Sequence, residues 1–430
     1  MPATVDMRAK GMSLLPAISL HALRGSMRIV LIAACIFVMS VAPPAQAVTM
    51  PPADRWDAVQ AEAVWHWLQR ADHEAITIDP VLGTRLRTAI DSGDRASIDQ
   101  SAQAAAMRLL LAYHGQCCSA QLPGSWHISQ PVTPEMLADR LNQAVANDQI
   151  SLLLRASRPR HPQYLGLARA YANESDADRR ANIALNLARW RSLPLPKEGR
   201  YIVVNTAAQE LTVWDGDRAI DRRRVIAGTR ATPTPVFAAQ VSGVVLNPWW
   251  NIPASIAAEG IGSFVRRDPA GARARGYIYS QGRYRQMPGD NNALGRMKLV
   301  MPNRFSVFLH DTSNRELFGR EERLLSHGCV RVQGAIEFAS LMLEGTDWTR
   351  AAVDEVVDLG ETTTIPTAEV IPIFVAYFTA EADEEDTVQF LPDVYSRDGT
   401  AGLIPRALRR FAYPVQSANP IGCNEAIQPD

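Results

Sequence analysis

Apolar residues recur at helical spacing through the first half of the chain. From Trp56 to Trp67 they fall at three- and four-residue steps, which is the period of one buried helix face. Thr133 followed by Pro134 predicts a helix start, because a hydroxyl can cap the first turn and proline is tolerated there. These patterns predict a helical N-terminal scaffold domain over residues 48–195, with its Trp and Leu stripes as core.

The pattern changes after the proline-rich linker "LPLPKEG" (residues 193–199). Short β-branched segments follow, and Asp215-Gly216 between two of them predicts a hairpin turn. Residues 199–360 are predicted to form a β-rich, β-sandwich-like domain, and residues 361–430 its last strands and a tail. The Gly- and Arg-rich stretch at about 256–298, hereafter the insertion, has little periodicity, which is typical of a lid or binding loop. The predicted fold class is α+β.

The N-terminal residues have the parts of a secretory signal. Arg24 and Arg28 precede the apolar run "IVLIAACIFVMSVA", which leads to "PPAQA" ending at Ala47. We expect residues 1–47 to be a signal peptide cleaved after Ala47, with Met27 as an alternative start. An uncleaved anchor is the alternative, although the apolar run is shorter than the roughly 20 residues of a spanning helix.

Charge and cysteine content narrow the function. The formal net charge of -1 gives no basic field for nucleic acid, and export also argues against a nucleic-acid partner. Export would place Cys117, Cys118, Cys329 and Cys423 in an oxidising compartment. Their spacing leaves open whether Cys117, Cys118 and Cys423 pair, and it does not match a zinc ribbon. We expect no metal and no cofactor.

The segment "LSHGCVRV" (residues 325–332) carries the candidate chemistry. Cys329 could attack as a thiolate if an imidazole takes its proton. His327 and the more distant His310 are both candidate bases, and Gly328 would let backbone N–H groups converge on an oxyanion. The alternatives are a buried Cys beside a core His, and a zinc site of His310, His327 and Cys329.

At these residues the sequence resembles the L,D-transpeptidases of the YkuD-type catalytic family. That family's signature is a His, some 14–17 residues, and then Ser or Thr followed by His-Gly-Cys; here fifteen residues separate His310 from "SHGC". The resemblance implies that Cys329 is the nucleophile, His310 the general base and Ser326 a supporting residue. It also implies that His327 and Gly328 shape the oxyanion hole.

Further segments resemble the long periplasmic subgroup typified by YcbB, among them "NIALNLARWRSLP", "LNPWWNIPASIA", "PGDNNALGRMKLVMPN" and "LHDTSNRELF". The subgroup's inserted peptidoglycan-binding module is missing, because about a dozen residues are left for it. In the subgroup the insertion corresponds to a substrate-capping lid. The residues expected to bind substrate are Arg331, Trp249, Trp250, Asn292 and Arg323.

The resemblance implies a periplasmic acyltransferase that forms 3→3 cross-links between peptidoglycan tetrapeptide stems. Its expected partners are the donor and acceptor stems, carbapenem inhibitors that acylate Cys329, and proteins of cell-wall synthesis. Water as acceptor would instead give an L,D-carboxypeptidase or endopeptidase, and the sequence does not fix the acceptor. A catalytically silent wall-binding scaffold is the alternative from another class.

Overall fold

The computed structural model describes residues 56–399. In that range no helix has the length and apolarity needed to cross a membrane. Three short helical turns are 3₁₀ or π in character: Asp72–Glu74, Ala257–Ile261 and Arg315–Gly319. The helices are α1 (Ala58–Ala71), α2 (Pro80–Ser92), α3 (Arg95–Tyr113), α4 (Pro134–Ala146), α5 (Ile150–Ser157), α6 (Pro162–Asn173), α7 (Ala177–Ser192), α8 (Ala254–Ile256), α9 (Gly262–Arg267), α10 (Pro269–Ala274), α11 (Ala335–Met342) and α12 (Arg350–Leu359).

The strands follow one another mainly in the second half of the chain. They are β1 (Trp126–His127), β2 (Arg200–Asn205), β3 (Glu210–Asp215), β4 (Arg218–Gly228), β5 (Val236–Leu246), β6 (Trp250–Asn251), β7 (Tyr277–Ser280), β8 (Arg283–Gln286), β9 (Met297–Val300), β10 (Leu309–His310), β11 (Leu324–Ser326), β12 (Val330–Val332), β13 (Thr363–Ala376), β14 (Ala380–Ala382) and β15 (Val388–Phe390). A helical N-terminal region followed by a β-rich domain is therefore confirmed.

Helices α1 to α5 enclose a core of their own. The predicted start of α4 is confirmed: Pro134 is its first residue, and the Thr133 hydroxyl accepts a hydrogen bond from the Met136 N–H. After α3 the chain turns at Cys117 and Cys118, which are disulfide-bonded to each other. Two of the three cysteines whose pairing the sequence left open are thus joined, and Cys423 lies outside the described residues.

The large sheet closes on itself. Its strand order is β1-β5-β13-β2-β3-β4-β12-β10-β9, and β9 pairs with β5 as well as with β10. The two layers of the predicted sandwich are therefore joined into one continuous sheet. Strand β13 lies between β5 and β2, so residues beyond 360 supply an interior strand of this sheet.

Side chains of the sheet alternate between two cores, as the period of two in a strand requires. Ile202 and Val204 point into the enclosed core, whereas Tyr201 and Val203 pack against α6 and α7. A buried ion pair between Arg189 of α7 and Asp398, 2.8 Å long, adds to this second interface. Three residues join α6 to α7, so no further domain is inserted between these two helices.

The insertion has more regular structure than its sequence suggests. Strands β6, β8 and β7 form a small sheet, and the short helices α8 to α10 lie between β6 and β7 in the chain. The buried Asn292 amide donates to the carbonyl oxygens of Pro248 and Met287, at 3.0 and 2.9 Å. These hydrogen bonds fix the base of the insertion. No periodic pattern in the sequence predicts them. Ile256 and Ala257 anchor its helical part in the same core as Cys329.

We predict that one histidine of the second core makes the fold sensitive to acid. His161 stacks on Trp190 with ring centroids 4.1 Å apart, and burial lowers its pKa to about 3. As pH falls below about 6.5, the unfolded chain binds a proton that the folded ring excludes, so the free energy of unfolding decreases until about pH 3. This one group should account for a loss on the order of 4 kcal/mol.

His161→Asn should flatten that pH dependence, because Asn keeps a capping oxygen for the Gln163 N–H and has no imidazole. Urea unfolding between pH 7 and 4 measures the slope. His66→Asn, at an exposed position on α1, is the matched control and should keep the wild-type slope. Equal slopes for His161→Asn and wild type would contradict the prediction.

Candidate active site

Cys329 lies in a tight turn between β11 and β12. Gly328 adopts φ +116°, a conformation that favours glycine. The Ser326 hydroxyl donates to the Cys329 carbonyl at 2.5 Å and accepts from the Gly328 N–H at 3.1 Å. The Thr234 hydroxyl donates to the Gly328 carbonyl at 2.9 Å. Ser326 thus supports the turn, and the Gly328 N–H already bonds to it instead of pointing at an oxyanion.

Strand pairing brings His310 beside this turn. In the parallel pair of β10 and β12, Leu309 lies opposite Val330 and His310 opposite Arg331, and the Val330 N–H donates to the Phe308 carbonyl at 3.1 Å. From the usual strand spacing and rise, the Cα atoms of His310 and Cys329 are about 8 Å apart. Two side chains that share a face can span that separation, so His310 and Cys329 can act together.

The His310 imidazole is buried and neutral. Its pKa falls to about 3, chiefly because burial disfavours the charged ring and because Arg331 repels it; the carbonyls of Asp311 and Leu294 offset part of this. Nδ1 lies at the Asp311 carbonyl oxygen, which can only accept, so Nδ1 carries the proton. Nε2 then has the lone pair that a general base needs.

Asp311 was not among the predicted site residues, although it follows His310 directly. Its carboxylate is 2% exposed, accepts from the Arg296 N–H at 2.9 Å and pairs with Arg315 at 2.7 Å. A Cβ at Gly295 would meet that carboxylate at 2.4 Å, so only glycine allows the approach. Asp311 therefore holds the end of β10, and with it the orientation of the imidazole.

Two cations flank His310 on neighbouring strands. Lys298 of β9 lies opposite His310, and its Nζ is 4.8 Å from the centroid of the Phe308 ring. Burial lowers the pKa of Lys298 and of Arg331. Within residues 56–399 no carboxylate pairs with either group, and Arg331 Nε has no hydrogen-bond partner there. The row of Lys298, His310 and Arg331 is therefore a positively charged site; Arg331 is among the predicted substrate-binding residues, and Lys298 is not.

The His327 side chain is partly exposed, whereas that of His310 is buried. The exposed fraction of the His327 side chain is 43%, and His327 Nε2 lies 3.0 Å from a carboxylate oxygen of Glu259 in the insertion. The described residues contain no group of three His, Cys, Asp or Glu side chains able to hold a metal ion. Strand pairing places His310 between Lys298 and Arg331, whereas His327 contacts the insertion.

The other predicted substrate-binding residues fall into two groups. Trp249 is partly exposed under the guanidinium of Arg285, 4.4 Å from its ring centroid, whereas Trp250 belongs to the enclosed core. Asn292 is used within the insertion, as described above. Arg323 donates to the carbonyls of Val225, Gln209, Arg320 and Glu321. Trp249 and Arg331 are the members of this set with surface left for a ligand.

The Cys329 side chain is 3% exposed, and its sulfur is disulfide-bonded in this structure. A nucleophilic role requires the reduced thiol, and the experiments below therefore include a reductant.

Comparison with known proteins gives one family. Residues 199–357 match the YkuD family model, described as an L,D-transpeptidase catalytic domain. A Haemophilus influenzae protein named "Putative L,D-transpeptidase" is 35% identical over 243 residues, which are 51% of this chain and 49% of that protein. The chain thus spans about half the length of this curated relative.

Solved structures with partial similarity carry related names. An L,D-transpeptidase from Mycobacterium smegmatis has 12% identity and a TM-score of 0.23, covering 41% of this chain and 58% of its own. The Ldtfm–avibactam carbamoyl enzyme has 14% identity and a TM-score of 0.22, covering 43% of this chain and 52% of its own.

Proposed function

We propose that this protein, whose residues 199–357 match the YkuD model of L,D-transpeptidase catalytic domains, forms 3→3 cross-links in peptidoglycan. Cys329 attacks the carbonyl between the diaminopimelate L-centre and the terminal D-Ala of a tetrapeptide stem. D-Ala leaves, and the side-chain amine of a second stem resolves the thioester. The observation that carries the proposal is the strand register that sets His310 beside the strand of Cys329.

The charges around the site support thiolate chemistry. Lys298 and Arg331 lie on the strands either side of His310, and nearby cations lower the pKa of a thiol. The neutral imidazole takes the thiol proton as the sulfur attacks and returns it to the leaving D-Ala amine. The same cations can then hold a carboxylate of the donor by charge-assisted hydrogen bonds.

The insertion supplies further positive charge for a substrate that carries carboxylates. Among residues 56–399, Arg296 is the arginine of the insertion that pairs with a carboxylate, 2.6 Å from Asp290. Arg266 instead donates to the Tyr284 hydroxyl at 2.7 Å, and Arg285 stacks on Trp249. Such guanidinium groups can pair with free carboxylates of diaminopimelate and D-Ala. The other arginines of the insertion are Arg266, Arg267, Arg273, Arg275, Arg283 and Arg285.

The cellular setting belongs to the same proposal. The basic flank, apolar run and Ala-x-Ala site of the N-terminal segment support export to the periplasm, where stem peptides and cell-wall synthesis partners would meet the enzyme. That segment lies outside the described residues. The motif spacing and the segments quoted above support the long YcbB-like subgroup, and carbapenems are the inhibitors expected to acylate Cys329.

Incubation with disaccharide-tetrapeptide under reducing conditions tests the reaction. Cross-linked dimers with release of D-Ala support transfer. Tripeptide without dimers would mean that water is the acceptor and that the protein is a carboxypeptidase. No product from a folded, reduced protein would leave the catalytically silent scaffold as the better account.

Lys298→Met tests the positively charged site. We expect kcat/KM for the tetrapeptide donor to fall about 10- to 100-fold, because a charge-assisted hydrogen bond to a substrate carboxylate contributes about 1.5–3 kcal/mol. The melting temperature should not fall, since removing a buried cation without an acidic partner relieves a desolvation cost. Lys197→Met, in the exposed linker, is the control. Unchanged kcat/KM in Lys298→Met would refute a substrate-binding role.

A further inference from the structure

The contact between Glu259 and His327 joins the insertion to the turn that carries Cys329. The Glu259 carboxylate and His327 Nε2 are 3.0 Å apart, with side chains 52% and 43% exposed. His327 is two residues from the nucleophile. A partly exposed carboxylate and imidazole therefore meet two residues along the chain from a buried cysteine.

The local structure of the insertion places this carboxylate. Ile256 and Ala257 are 8% and 5% exposed and pack in the core that includes Cys329. Gly260 follows Glu259 with φ +143° and interrupts the helical turn Ala257–Ile261. Glu259 is thus presented from a turn whose preceding residues are fixed in the core, and its position does not depend on a long flexible loop.

The Glu259 carboxylate is negatively charged, whereas the groups around His310 are positively charged. The row around His310 carries Lys298 and Arg331, which suit the carboxylates of a donor stem. Glu259 offers the opposite charge, which suits an ammonium group. The second half-reaction brings such a group to the thioester, and it must lose a proton before it can attack.

We propose that Glu259 and His327 form the acceptor site, which binds the ammonium group of the second stem and takes its proton. The proposal rests on the transpeptidase function proposed above and names what selects an amine over water. Glu259 binds the ammonium and orients the His327 ring, as the third group of a base-orienting set does. His310 remains the base of the donor half-reaction.

The protons and electrons balance as follows. The ammonium gives one proton to His327, and the amine lone pair then forms the C–N bond. The C–S bond breaks with its electron pair on the Cys329 sulfur. The second amine proton passes through His310 to that sulfur, which restores the thiol, and the exposed His327 ring releases its proton to solvent.

Glu259→Gln tests the proposal in the full, reduced protein with disaccharide-tetrapeptide as donor and acceptor. The acyl-enzyme should still form, and the ratio of cross-linked dimer to tripeptide should fall about 10-fold or more, with the KM for the acceptor raised. His327→Gln should shift the same ratio. Glu321→Gln, which removes an exposed carboxylate close to the motif, should keep the wild-type ratio.

Two results would overturn the acceptor site. An unchanged dimer-to-tripeptide ratio in Glu259→Gln would mean that the carboxylate does not handle the amine. Acylation and both products falling in equal proportion would mean that Glu259 only holds the insertion in place. Failure of the proposed function is a different result, since wild-type protein would then form neither acyl-enzyme nor dimer.

Discussion

Cys329→Ala is expected to abolish both cross-link formation and carbapenem acylation, with a loss of roughly 10⁵-fold or more, because no other group can form the acyl intermediate. The substitution removes one sulfur from a turn held by Ser326 and Thr234, so the fold should persist. Intact-protein mass after carbapenem treatment under reducing conditions gives the result directly. Circular dichroism and the melting temperature verify folding.

The matched control for this prediction is the double variant Cys117→Ala/Cys118→Ala. It removes the disulfide after α3 and leaves Cys329 in place, so it should acylate like wild type. A carbapenem adduct on folded Cys329→Ala, or full cross-linking activity in that variant, would show that another residue is the nucleophile.

His310→Asn is expected to lower the acylation rate about 10²- to 10⁴-fold, the usual contribution of a general base. Asparagine is smaller, and its amide can donate to the Asp311 carbonyl that now holds the imidazole. It cannot accept the thiol proton as a base. Stopped-flow measurement of carbapenem acylation at saturating inhibitor separates this chemical step from binding.

The pH profile of the acylation rate distinguishes a buried, neutral His310 from an exposed histidine. Burial and Arg331 lower the pKa of His310 to about 3, so the ring is already in its basic form at pH 5. The wild-type acylation rate should therefore show no titration step near pH 6.5 and should rise only with ionisation of the thiol. A step between pH 6 and 7 that disappears in His310→Asn would contradict the buried, neutral base.

The sequence was sufficient to predict the helical region and the β-rich domain, and it singled out a candidate nucleophile and a candidate base that the strand pairing places near each other. The spacing of His310 and "SHGC" is local information, and strand pairing then sets His310 beside the β12 strand. Helix starts were predictable for the same reason, since a cap such as Thr133 acts on the turn that follows it. The family match over residues 199–357 agrees with that local pattern.

The contacts that the sequence did not predict join residues that are distant in the chain and depend on which strands pair. Lys298 lies twelve residues before His310, and only the antiparallel pairing of β9 with β10 sets the two opposite each other. No local sequence pattern predicts the pairing of β9 with β5 that closes the sheet. The contact of Glu259 with His327 joins positions 68 residues apart.

Burial gives two of the predicted substrate-binding residues a structural role. Arg323 and Asn292 were predicted to bind substrate from their resemblance, yet the structure surrounds both with backbone carbonyls. A buried arginine or asparagine satisfies carbonyl groups that would otherwise lack a donor. Sequence alone does not distinguish that role from ligand binding, because both need the same donors.

The most direct test of the central claim is the mass of the acyl-enzyme formed from a disaccharide-tetrapeptide donor, trapped by acid and mapped by peptide digestion. The account predicts a covalent disaccharide-tripeptide on the peptide that contains Cys329, formed with release of D-Ala and cleared when an amine-bearing stem is added. An adduct on any other residue, or dimer formation by a reduced enzyme that never carries an adduct at Cys329, would contradict it.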